Sequence, residues 1–144
     1  MPLGYVEYDE DLDNSLGRLG DHVEPQSRGY DVNSQGLGVR AGRDFLFSIL
    51  VEKPPGQDGW LYLHNRDIPG LQTRLMITAP DLPDAGRQVI EPLFADFTRP
   101  VSLARFHRAG KLRINYSGKY QGPGGALVLT RIRIRWNRVQ PAVP

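Results

Sequence analysis

Apolar residues along this chain come in short runs separated by proline and glycine, a pattern of strands rather than long helices. The first run, Asp44 to Glu52, carries Phe45, Leu46, Phe47, Ile49, Leu50 and Val51, as expected of a strand covered on both faces. Pro54, Pro55 and Gly56 end it. A second run spans Trp60 to His64 and closes at Asn65 to Gly70, and a third spans Leu71 to Thr78 before Pro80 and Pro83. These three are expected to be antiparallel neighbours. Gln88 to Phe97 spaces Val89, Ile90, Leu93, Phe94 and Phe97 irregularly, which fits either a strand or one or two helical turns after Pro92. Val101 to His107 and Lys111 to Tyr116, separated by Arg108, Ala109 and Gly110, predict a hairpin. The clearest alternation is Ala126 to Arg138. There Val128, Thr130, Ile132, Ile134 and Trp136 share one face, and Leu127, Leu129, Arg131, Arg133 and Arg135 share the other.

Upstream of these runs the apolar residues are sparse and non-periodic, broken by Gly4, Gly17, Gly20, Pro25, Gly29, Gly36, Gly38 and Gly42. Residues 1–43 therefore read as an extended N-terminal arm and 44–144 as one β domain. Tyr5, Val6, Tyr8, Leu12, Leu16, Leu19, Val23 and Tyr30 give the arm more apolar material than a solvating tail needs, so it is expected to dock on something. Short strands between Pro/Gly turns define the expected fold class: mainly β, an antiparallel β-sandwich or jelly-roll-like barrel, with room for a single helix.

Composition narrows the chemistry. The 144 residues include 16 glycines, 12 prolines and no cysteine, which removes disulfides, thiolate metal sites and a cysteine nucleophile. Arginine outnumbers lysine 15 to three, a balance consistent with a GC-rich or hot-adapted source. The first eleven residues have neither a basic nor an apolar signal region, and no apolar stretch reaches membrane-span length, so a soluble chain is expected.

Charge divides the chain. Residues 1–31 hold eight acids and two bases (−6), residues 32–99 are nearly balanced (−1), and residues 100–144 hold nine bases and no acid (+9). Such polarity fits intramolecular pairing, an arm seeking a basic neighbour, or a basic surface seeking an anion. Arg131, Arg133 and Arg135 would stand roughly 7 Å apart along a strand, a row that needs anions beside it. Nucleic acid is disfavoured because no aromatic residue interleaves with that row; Trp136 falls on the other face.

Sequence motifs for chemistry are sparse. His22, His64 and His107 have no second histidine at metal-ligand spacing. Asp9, Asp11 and Asp13 open like a calcium loop, but Asn14 and Gly20 occupy the positions that need glycine and glutamate. Gly122 to Gly125 precedes a strand rather than a helix and reads as a turn. Nothing matches a nucleophile elbow or a phosphate loop, so no catalytic residue, cofactor or metal site is assigned. Trp60, Tyr62 and His64, two residues apart, could form a stacking platform for a carbohydrate or other small ligand, or lie in the core.

Two resemblances bear on function. Gly29-Tyr30-Asp31-Val32 with Arg40-Ala41-Gly42 resembles the first motif of trimeric dUTPases, and Asn115-Tyr116-Ser117-Gly118 stands where their third would be sought. That family has an aspartate near the tyrosine where this chain has Asn115, and its arginine-serine and glycine-rich C-terminal motifs have no counterpart, so the resemblance reaches the trimeric barrel and not the activity. The overall build, an acidic arm on a compact arginine-rich β domain, resembles the capsid auxiliary (decoration or cement) proteins of tailed phages. It implies a non-enzymatic homo-oligomer, expected to be a trimer, on the virion exterior against the major capsid protein; outside that family a cytoplasmic protein is expected. On this expectation Tyr5, Tyr8, Leu12 and Leu16 anchor the arm, and Arg131, Arg133 and Arg135 meet acids of a neighbour. The alternative is a carbohydrate- or small-ligand-binding β-sandwich, and a further alternative, from the first resemblance, is a dUTPase-like trimeric enzyme.

Overall fold

The structure, a computed structural model, describes residues 8–11, 17–33, 36–66, 68–90 and 101–136. Ten strands occur there: β1 (Tyr8–Asp11), β2 (Tyr30–Asn33), β3 (Gly36–Arg40), β4 (Asp44–Glu52), β5 (Gly59–Asn65), β6 (Leu71–Thr78), β7 (Arg87–Ile90), β8 (Val101–Ser102), β9 (Lys111–Tyr120) and β10 (Gly125–Trp136). They form two antiparallel sheets. The first runs β2-β3-β10-β5-β8, with β1 on the second half of β10; the second runs β4-β9-β6-β7.

The sheets bury one face each against the other. Leu37, Val39, Leu61, Leu63, Ile132 and Ile134 come from the first sheet and Phe45, Phe47, Ile49, Val51, Leu75, Ile77, Leu112 and Ile114 from the second, all in one cluster. Alternation makes this possible: β5 turns Leu61 and Leu63 inward and Trp60, Tyr62 and His64 outward. Burying each large aliphatic or aromatic side chain contributes about 1.5–3 kcal/mol, so the core carries the fold without a disulfide. Tyr116 crosses this core, its hydroxyl donating to Asn65 Oδ1 and lying 3.3 Å from the Val128 carbonyl oxygen.

Several elements differ from the sequence pattern. The first three apolar runs are not neighbours: β4 and β6 flank β9, while β5 lies in the other sheet. Their connections cross between layers, which covers the apolar face of each run with the opposite sheet. Nor do residues 101–107 and 111–116 make a hairpin. Val101 and Ser102 pair with β5, and Ala104–Phe106 form a 3-10 turn. Leu103, Phe106 and Ala109 are all buried, a three-residue spacing that a turn can point inward and an alternating strand cannot. In β10 strict alternation fails as well. Leu129 pairs with Asn65 and Ile132 with Leu63, so one extra residue bulges out between them and Val128 and Leu129 are both buried. Of the ambiguous stretch Gln88 to Phe97, β7 includes residues 88–90; residues 91–97 lie outside the described residues, as do 137 and 138 at the end of the last run.

Within residues 1–43, read from sequence as an arm, the chain forms β1, a 3-10 helix at Gly17–His22, β2 and β3. Residues 23–28 follow the edge of β4 through bridges Val23 to Ile49 and Arg28 to Leu46. Glu24 joins Arg113 of β9 in a two-pronged ion pair over β4. Local propensity there is weak; pairing with long strands already anchored in the core supplies what propensity lacks.

Candidate functional site

Two outward sheet faces gather chemistry. On the first sheet, Trp60, Tyr62 and His64 project from β5 and are half-buried rather than in the core. Across the ladder Trp60 stands opposite Arg135 and Tyr62 opposite Arg133, whose guanidinium lies 5.5 Å from the tyrosine ring centre. On the other side of β10, β1 places Asp9 in register with Arg133 and Asp11 with Arg131. Directly opposed residues share a sheet face, so the register aligns acidic positions, arginines and aromatic residues in consecutive strands. Part of the acidic segment thus lies beside part of the arginine row in the same chain.

Of the arm anchors expected from sequence, Tyr8 begins β1, and Tyr5, Leu12 and Leu16 lie outside the described residues. Asp9 and Asp11 stand on a strand rather than in a calcium-type loop. Among the described residues no three histidine, aspartate or glutamate side chains gather to hold a metal. His22 Nδ1 is 3.0 Å from the Leu50 carbonyl oxygen, and His107 Nδ1 is 2.7 Å from Asp58 Oδ1.

The second face lies outside β4, β9 and β6. These strands bound an open groove of about 690 Å³, within the size range of small-ligand sites. Its floor is set by register. Asp44, Lys119 and Gln72 form one cross-sheet row; Leu46, Ser117 and Arg74 form the next; Asn115 and Met76 continue it. Arg28 closes one end, held beside β4 by its bridge to Leu46. Ser117 is small where its neighbours are long, which gives the groove depth. Gly118 beneath it faces inward, where a Cβ would stand 2.1 Å from the Gln72 carbonyl oxygen. Asn115 Oδ1 is buried and has no hydrogen-bond partner among the described residues. Such an orphaned acceptor costs about 1–3 kcal/mol unless something donates to it.

This groove was not legible as a site. Its residues come from four separated segments, and the only local signal is the outward phase of Gln72, Arg74 and Met76 and of Asn115, Ser117 and Lys119. The dUTPase-like segment instead divides between core and groove: Tyr116 is buried and Asn115 lines the groove.

No protein-family model matches the chain, and no curated protein matches it. Among solved structures the chain is similar to the carbohydrate-binding module TmCBM61 in complex with β-1,4-galactotriose, with 16% identity, 68% of each chain covered and a TM-score of 0.41.

Proposed function

We propose that this chain is a non-catalytic binding module that takes a saccharide in the groove on the outer face of its second sheet. The observation that carries this reading is the open groove itself, whose floor sets Gln72, Arg74, Ser117 and Lys119 beside the apolar Leu46 and Met76. Strands about 4.8 Å apart set Gln72, Lys119 and Asp44 as a row of polar groups suited to neighbouring hydroxyls. Leu46 and Met76 offer apolar contact for the C–H face of a sugar ring. A glycan array followed by titration of the hits tests this. Binding that disappears in Ser117→Trp, with the melting temperature retained, supports the groove; an array without hits overturns the reading.

A second reading, a homo-oligomeric shell component, is favoured by one observation. Among the described residues the four-residue strand β1 pairs with β10 alone, a ladder that the same segment of another copy would supply equally well. Light scattering on the full chain and on a version lacking residues 1–16 tests it. A trimer that dissociates on truncation supports arm exchange, and a monomer in both cases removes it.

A further inference from the structure

We propose that the saccharide taken by the groove is acidic, bearing a carboxylate or sulfate that Lys119 and Arg28 recognise; this rests on the saccharide reading above. Among the described residues, the cations Arg28 and Lys119 line the groove with one acid, Asp44. A further cation on the outward face of β9, Arg113, is already matched by Glu24. Arg28 and Lys119, by contrast, form no ion pair among the described residues. The one side-chain hydrogen bond of Arg28 among the described residues is a long, exposed one, Nη1 donating to the Gln26 carbonyl oxygen at 3.4 Å.

Geometry separates the roles. Lys119 stands between Asp44 and Gln72 in one cross-sheet row, so an anionic substituent there meets an ammonium with an amide on one side. Asp44, on the other side, accepts from hydroxyls and disfavours an anion at its own position. The charge is therefore read at one place in the groove rather than along its length. Charge-assisted hydrogen bonds are roughly twice as strong as neutral ones, so the acidic substituent dominates selectivity.

The test is calorimetric titration of the full chain with trigalacturonic acid, a sulfated heparin tetrasaccharide and neutral xylotriose, at low and at roughly 0.5 M salt. The expected result is binding of one acidic probe, weakened about tenfold or more by Lys119→Gln and by Arg28→Gln, weakened by salt, and abolished by Ser117→Trp. The first two probes distinguish carboxylate from sulfate. Neutral xylotriose binding as well as the acidic probes, with Lys119→Gln unaffected, overturns the acidic class and leaves the saccharide reading standing. Acidic binding insensitive to Ser117→Trp places the anion outside the groove and also overturns it. Absence of binding by all three probes overturns the acidic class, and together with a blank glycan array it overturns the saccharide reading as well.

Discussion

The Arg133 guanidinium lies 5.5 Å from the centre of the Tyr62 ring, on strands that place the two residues directly opposite one another. The tyrosine face thus holds a cation of the same molecule, while β1 brings the acidic position Asp9 into register on the other side of Arg133. This arrangement sets part of the arginine row beside strands of its own chain on the outer face of the first sheet.

The Arg133–Tyr62 contact has a measurable worth. A double-mutant cycle with Arg133→Gln and Tyr62→Leu is expected to give a coupling of about 0.5–1 kcal/mol in urea unfolding. A coupling indistinguishable from zero would show that the stacking adds nothing.

Removing residues 1–16 uncovers the β10 edge at residues 131–134. Amide hydrogen exchange is expected to accelerate in that stretch and to stay unchanged in β9, which is paired on both sides within the second sheet. Equal acceleration in both would mean that β1 supports the whole sandwich.

Gly118→Ala is expected to destabilise by about 3 kcal/mol. The added Cβ would lie 2.1 Å from the Gln72 carbonyl oxygen and 3.0 Å from the Phe45 ring, so β6 or the core must shift. Chemical denaturation checks it, with Ser117→Ala as a control expected to change stability by less than about 0.5 kcal/mol.

Glu24→Gln breaks the ion pair to Arg113, a pair more sheltered on the glutamate side, where 15% of the side chain is exposed. The expected loss is about 1 kcal/mol, with faster exchange at Arg28, whose amide bonds to the Leu46 carbonyl oxygen. A loss that vanishes in the Arg113→Gln background confirms the pair.

Alkaline pH separates two buried groups. Burial raises the Tyr116 hydroxyl far above its ordinary value of 10.0, so the folded state keeps a proton that the unfolded chain releases. Above about pH 10 stability therefore falls, by about 1.4 kcal/mol per pH unit for this group. Lys53, whose ammonium is held by the Pro54 and His107 carbonyl oxygens at 2.9 Å, shifts the other way. Desolvation lowers it from 10.5, partly offset by Asp58 and Asp81, so stability from this group rises as pH approaches 10.5. Urea unfolding between pH 8 and pH 11.5 is expected to show net loss above pH 10, and a shallower loss in Tyr116→Phe. Equal slopes in the two proteins would assign the alkaline loss to other groups.

Local periodicity was enough to reveal the β class, the spans of β4 and β6 and the arginines of β10, because each depends on which way neighbouring side chains point, whereas it left Trp60 and Tyr62 of β5 open between surface and core. Fold details beyond one strand were not legible in the same way. The 3-10 turn at Ala104–Phe106 is apolar enough to pass for a strand, and only its burial against the core distinguishes it. Likewise, nothing near Asn115 announces that Met76 and Ser48 will flank it, or that Arg28 will close the groove. Alternation in the sequence thus settles most outward positions of the regular strands but not those beside the β10 bulge or in the 3-10 turn. The tertiary structure decided which of them meet, because strand order is set by how two apolar faces cover one another across the sandwich, and that covering joins residues far apart in the chain.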